Sequence, residues 1–396
     1  MSFSIATSGL DAFSKQLGAI SNNIANSNTA GYKSMRAEFA SLYGGGQPQG
    51  VNVSDISQSV GQSGTVTNTS RALDLAITGK GFFVSKDENG ATTYSRAGYM
   101  ALDAEGKLVN NLGARLQGYS TDDSGALQTG ALGDLQVKVG AIPAQATDKL
   151  GFVANLDAGA IPPVVSRFSR DDPQSYNNVF SSRVYDSLGQ PHSVEQYFAK
   201  TGEGSWDVHF FVDGATASPA KTQLRFDNSG NLLPSTTTPQ LTSRLNGVDP
   251  LAITVDYSGT SQYSSSFNVM NNTSNGYAAG EMVSEQIDDD GKIYATYTNG
   301  ERLLQGQLVL ANFRNPQALK SEDGTAWSEA NGSGQPLYGT PKSGMNGSIK
   351  AFALESSNVD LTSELVGLMG AQRSYQANTK VISTNDAMMN ALFQAL

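Results

Sequence analysis

FSIATSGLDAFSKQLGAISNNI, residues 3–24, decides how this chain is to be read. Phe3, Ala6, Leu10, Phe13, Leu17, Ile20 and Ile24 recur in alternating steps of three and four. That spacing predicts a helix with one narrow apolar stripe. The periodicity fades into Asn-rich sequence at 21–29, and Gly31 is the expected stop. The far end of the chain carries a counterpart. Leu361, Leu365, Leu368, Tyr375, Ile382, Met389 and Leu396 follow the same spacing. Gln372, Thr379 and Asp386 stand where that stripe would continue. Ser357-Asn358 before Val359, or Thr362 before Glu364, could cap its start.

Both stripes have the width of a coiled-coil seam, with no second apolar face. Single helices of this kind are marginal in water, so each needs a partner. Two partners are possible: the other terminal helix of the same chain, or helices of other copies. Gly9 and Gly18 lean towards close helix contact, because glycine costs a helix about 1 kcal/mol relative to alanine. If the partners are other copies, both ends are unpartnered in a single chain and order on assembly.

Between the ends the signal is β. Leu73, Leu75 and Ile77 alternate with polar residues, and Phe82-Phe83-Val84 follows. Acidic or Asn residues followed closely by Gly recur between short apolar runs: 88–90, 103–106, 123–125, 186–189, 227–230, 290–291 and 299–300. These read as β-hairpin turns. The fold class is therefore mainly β, as sandwiches or small barrels, with α-helical termini. Residues 28–70, rich in Gly, Ser, Thr and Gln towards their end, read as an extended linker. Pro143, Pro162 and Pro163 mark a domain boundary, and a second lies near 271–280.

Bulk composition narrows the function. The 396 residues include 42 Gly, 38% hydrophobic and only 16% charged residues, which suits many tight turns better than one large helical core. The net charge of -10 makes nucleic acid an unsuitable partner. The absence of Cys excludes disulfides and Cys-ligated metals. The N-terminus has no Sec-type signal pattern, and no stretch reaches the ~20 apolar residues of a membrane span. Export, if it occurs, needs a route without a cleaved signal.

No constellation reads as catalytic or cofactor-binding. His192 and His209 lack a second ligand at metal spacing and read as ordinary sheet histidines. Gly79-Lys80-Gly81 lacks the upstream spacing of a phosphate loop and reads as a turn or bulge. Asp288-Asp289-Asp290-Gly291 would need an acid at Gln286 and a Glu at Tyr297 to be a calcium loop, so it reads as an acidic turn.

Four regions then carry a resemblance. SNNIANSNTAGYKS, 21–34, resembles the N-terminal signature of the flagellar rod and hook family, through Asn22, Asn23, Asn26, Asn28 and Gly31. Residues 356–386, SSNVDLTSELVGLMGAQRSYQANTKVISTND, resemble its C-terminal signature. The matching positions there are Asn358, Asp360, Leu361, Glu364, Gln372, Arg373, Tyr375, Gln376 and Asn378. LDLAITGKGFFV, TYSRAGY and GKLVNNLGARLQGY, within 73–119, are similar to the family's first β-domain. SYNNVFSSRVYDSLGQPHSVEQYF, 175–198, resembles the outer domain of hook members.

The resemblance implies a structural subunit polymerising into the extracellular flagellar hook, with no cofactor and no catalysis. Terminal helices 1–27 and 359–396 would form an inner coiled-coil layer around a channel. Residues 71–144 with 278–358 would form a first β-domain, and 145–277 an inserted outer β-domain. Seam positions would be Phe3, Leu10, Phe13, Leu17, Ile20, Ile24, Leu361, Leu365, Leu368, Tyr375, Ile382 and Met389. Partners would be other copies, the distal rod protein, the hook cap, the hook–filament junction protein and the flagellar export apparatus. A distal rod subunit, a β-rich adhesin and a surface hydrolase are the competing readings.

Overall fold

The structure, a computed structural model, describes residues 2–44, 47–122, 125–234, 238–244 and 247–395. Part of the expected turn at 123–125 and the last stripe residue, Leu396, lie outside the described residues. The chain divides into two compact units. One comprises residues 1–139, 284–296 and 302–396; the other comprises 140–283 and 297–301.

The first unit opens with α1 (Ser2–Ala25) and closes with α2 (Leu361–Ala395). After α1 the chain forms a long antiparallel hairpin, β1 (Met35–Gly44) and β2 (Gln47–Gln58). This corrects the expectation of an extended linker over 28–70. Ladder hydrogen bonds hold the hairpin whatever its side chains, so its polar composition hid it. Phe39 meets Phe13 of α1 with ring centroids 5.8 Å apart, and a side chain on Gly50 would strike Ser8. The hairpin thus lies along α1.

Beyond it, β3 (Val66–Asn68) pairs with Ala353–Glu355 and β4 (Leu75–Thr78) with Ser348–Ala351. These ladders tie the segment after α1 to the segment before α2. The turn Gly79-Lys80-Gly81 leads into β5 (Phe82–Lys86), which pairs with β6 (Thr92–Ser95) and with Leu310–Asn312. Phe82, Tyr94, Phe313 and Trp327 pack edge-to-face in the core of this sheet, at centroid distances of 4.7–6.1 Å.

The second unit is built on a four-strand antiparallel meander: Asn178–Tyr185, Pro191–Gly202, Ser205–Val212 and Ala215–Arg225. The strand Ser205–Val212 alternates strictly, so Trp206, Val208, Phe210 and Val212 point inward. They close on Phe152, Phe198, Leu241, Ile253, Val255 and Tyr257 in one sealed core.

The turns share one mechanism. Gly106, Gly189 and Gly230 each have φ near +80° and donate N–H to the carbonyl three residues back. The Asp at that position accepts two further backbone N–H groups: Asp103 from Glu105 and Lys107, Asp186 from Leu188 and Gln190, Asp227 from Ser229 and Asn231. Only glycine takes that φ without strain.

Candidate assembly junction

Asn23, Gly31, Asn358 and Glu364 of the two terminal motifs converge where α1, α2 and the β-domain meet. Asn23 is fully buried and uses its whole amide. Its Nδ2 donates to the Met35 carbonyl at 2.8 Å and to Glu364 Oε1 of α2 at 2.9 Å. Its Oδ1 accepts from Met35 N–H and from the Tyr32 hydroxyl. Burial, with Glu364 nearby, holds the Tyr32 phenol above its ordinary pKa. Asn358 does the same from the other end of the chain. Its Oδ1 accepts from Ser34 N–H at 2.7 Å, and its Nδ2 donates to the carbonyls of Ser59 and Gln62.

Gly31 has φ +74° and donates to the Glu355 carbonyl; a Cβ there would lie 2.4 Å from Ala97 N. It is a close-approach glycine, not the helix stop expected of it, since α1 ends at Ala25. Asn22 and Asn26 donate to carbonyls one turn back, those of Gly18 and Asn22, and so finish α1. Asn28 is exposed. Asp360 caps α2, accepting from Thr362 and Ser363 N–H at 2.9 and 3.1 Å. This replaces the expected caps Ser357-Asn358 and Thr362, because Asn358 is already committed across the junction.

At the centre lies a buried ion cluster that pattern reading passed over. Lys33, Arg96 and Glu355 are each at most 3% exposed. Lys33 Nζ donates to Glu355 Oε1 at 2.5 Å and to the Gln62 carbonyl at 2.7 Å. Arg96 Nη1 stands 3.4 Å from Glu355 Oε2, and Nη2 donates to the Gly79 carbonyl. Burial pulls the Lys33 ammonium below its ordinary pKa against the pull of Glu355, and the Arg96 cation adds to the lowering. The three come from the N-terminal motif, the first β-domain and the segment before α2, so the cluster forms only when all three dock. A charge at the inward end of Ala353-Leu354-Glu355, a wholly buried strand, was the available signal.

Comparisons with known proteins match these regions in order. The flagella basal body rod protein family matches residues 3–33, and the flagellar hook protein FlgE/F/G D1 domain matches 76–149. The flagellar basal body protein FlaE D2 domain matches 155–277, and the flagellar basal body rod FlgEFG protein C-terminal family matches 351–395. The chain is 39% identical to flagellar hook protein FlgE of Escherichia coli (strain K12), over 99% of both chains. It is 34% identical to flagellar hook protein FlgE of Rhizobium meliloti (strain 1021), over 97% of this chain and 96% of that one. The chain belongs to the flagellar hook protein family. It is thus a structural subunit of the hook, a part of the flagellum outside the cell, and the family implies self-polymerisation. The crystal structure of Helicobacter pylori flagellar hook protein FlgE2 has the same fold, with TM-score 0.57 at 16% identity over 73% of this chain and all of that one.

In this hook subunit the helices α1 and α2 run antiparallel and meet along small residues. A Cβ on Gly9 would lie 2.8 Å from Asn378 Oδ1, and one on Gly367 would touch Ile20. Ala6, Ala12, Ala19 and Ala371 are buried. Gly18 faces open space, so the helix-contact reading holds at Gly9 alone.

The expected seam residues stand largely outside that contact. Ile20 is buried; Leu10, Phe13, Leu17, Ile24, Leu368 and Ile382 are half-buried. Phe3, Leu361, Leu365, Tyr375 and Met389 are 39–48% exposed. Gln372, Arg373, Gln376, Thr379 and Asp386 are exposed too. The two ends are therefore not partnerless in one chain, and of the apolar stripe it is Ile20 that meets the other helix, at Gly367.

The other singled-out groups have structural partners. Asp288 pairs with Arg302, Asp289 with Lys342 and Asp290 with Lys292. His192 sits between two turns, Nδ1 2.5 Å from Asp213 and Nε2 3.3 Å from Asp186. Burial lowers its pKa, but the two carboxylates outweigh burial and leave it raised. His209 stacks flat on Phe168 at 3.8 Å. Among the described residues no cluster of three His, Cys, Asp or Glu could hold a metal ion, and no helix is long and apolar enough to cross a membrane.

Proposed function

We propose that α1 and α2 form the inner layer of the hook tube, around a channel, by burying their open stripes against those of other copies. One observation carries this reading. Leu361, Leu365, Tyr375 and Met389 stand at helical spacing on α2 and remain exposed, while Gly367 and Ala371 of α2 are used within the chain. A long helix with an open apolar stripe is marginal until covered. Residues 71–144 with 278–358 form the middle layer, and residues 145–277 form the outer layer.

Deep apolar contact between inner helices gives a permanent joint, and smaller contacts between outer domains can slide as the tube bends. The polymer so built transmits torque while curved. Its ends engage the distal rod protein, the hook cap and the hook–filament junction protein. The subunit leaves the cell through the flagellar export apparatus, and it catalyses no reaction. The seam and the two motifs serve assembly.

The test is Leu365→Asp. It places a charge in the covered seam. Assembly should be lost by sedimentation and electron microscopy, with the thermal transitions of the β-domains unchanged. Normal tubes from this variant would defeat the reading.

A further inference from the structure

The β-domain of the first unit carries a cleft of about 390 Å³ beside the buried ion cluster. Its floor is apolar, formed by Val60, Phe82 and Phe313. Leu337 and Met345 at its edge are 64% and 68% exposed, far more than a large apolar side chain needs to be. Lys80 and Arg314 line it, and among the described residues neither has a carboxylate within ion-pair distance. The buried Arg96 also borders it, with an Nε that finds no hydrogen-bond acceptor. The site is cationic around an apolar floor, in a chain of net charge -10.

The same chain carries the complement. On the strand Gly280–Ile287, residues 281, 283 and 285 share one face by the two-residue period. Val283 is 64% exposed, and Glu281 and Glu285 flank it with no cation in ion-pair distance among the described residues. An exposed valine between two unpaired carboxylates matches an apolar cleft between two unpaired cations.

We propose that the Glu281-Val283-Glu285 face of one copy seats in the Lys80–Arg314 cleft of a second copy. Val283 enters the apolar floor, and the two carboxylates meet Lys80 and Arg314. The contact joins two different patches of one surface, so it is heterologous, and repeated it builds an open helical array rather than a closed dimer. It rests on the reading of the chain as a self-polymerising subunit, and it adds a β-domain contact outside the helix layer.

The chain contains no cysteine, which makes cross-linking unambiguous. In polymer assembled from Val283→Cys/Met345→Cys, oxidation should give a ladder of dimers, trimers and higher species on a non-reducing gel. Each single variant can give dimers at most. Intact polymer of the double variant with no ladder would overturn the contact. Charge reversal decides the matter if that variant fails to assemble. Lys80→Glu/Arg314→Glu should raise the concentration needed for assembly about tenfold, with thermal unfolding unchanged, and adding Glu281→Lys/Glu285→Lys should reverse the effect. Assembly of the charge-reversed chain at the wild-type concentration would sink the proposal, as would no recovery in a folded fourfold variant. Wild-type chain that never polymerises would instead overturn the polymer reading, and this contact with it.

Discussion

The helix pair and the second unit handle apolar surface in opposite ways. In the second unit Phe152, Phe198, Trp206, Phe210 and Tyr257 are essentially inaccessible, and the core closes within one chain. In the helix pair Gly9 approaches Asn378 and Ile20 approaches Gly367, while Phe3, Leu361, Leu365, Tyr375 and Met389 stay exposed. A sealed core makes a unit that is stable by itself. A small-residue contact only holds two helices in register, leaving their larger surface to be covered by something else.

The largest effect that would sharpen this contrast is expected at the buried cluster joining the two ends. Removing one member of a buried ion pair leaves the others uncompensated, at about 3–5 kcal/mol. Glu355→Ala should therefore lower the unfolding free energy of the first unit by that amount, bringing its denaturation midpoint down, and leave the transition of the second unit in place. A shift in both, or in neither, would mean that the cluster does not act as the lock between the termini and the first β-domain.

A smaller effect is expected in the helix contact itself. Gly9→Val brings side-chain atoms against Asn378 and should cost about 1–3 kcal/mol by overpacking. Gly18→Ala has open space around it and should gain up to about 1 kcal/mol of helix stability. Helical circular dichroism during thermal unfolding reads both. Equal responses at the two glycines would break the claim that α1 meets α2 along one narrow line.

The smallest effect concerns pH and the second unit alone. The His192 pKa is raised in the folded chain, so its contribution is complete below its unfolded value, about 6.5. That contribution fades as pH rises through the folded value. Asp186 and Asp213 have lowered pKa values, in each case because bonds to His192 and to backbone N–H groups outweigh burial. Their contribution is lost only in acid, below the ordinary Asp range. The midpoint of the second unit should fall modestly as pH is raised from 6 to 9, and the slope should vanish in His192→Gln. An unchanged slope in that variant would assign the pH response to another group.

Much of the fold was legible in the residues. Helical spacing marked α1 and α2, because a stripe that repeats every three or four positions has no other regular structure to fit. Asp-x-x-Gly marked the hairpin turns, because the carboxylate and the positive-φ glycine each supply part of the turn. The β1–β2 hairpin was not legible, since its ladder depends on backbone groups that every residue shares. The cluster of Lys33, Arg96 and Glu355 was hidden for another reason. Its members are 63 or more positions apart in the chain, and only strand pairing brings them together. What the sequence by itself determined was the local: where helices start, where strands turn, and which family's motifs are present. What the tertiary structure alone decided was which helix face is used within the chain. That choice rests on small residues allowing backbones to approach, and it leaves Leu361, Leu365, Tyr375 and Met389 of α2 exposed.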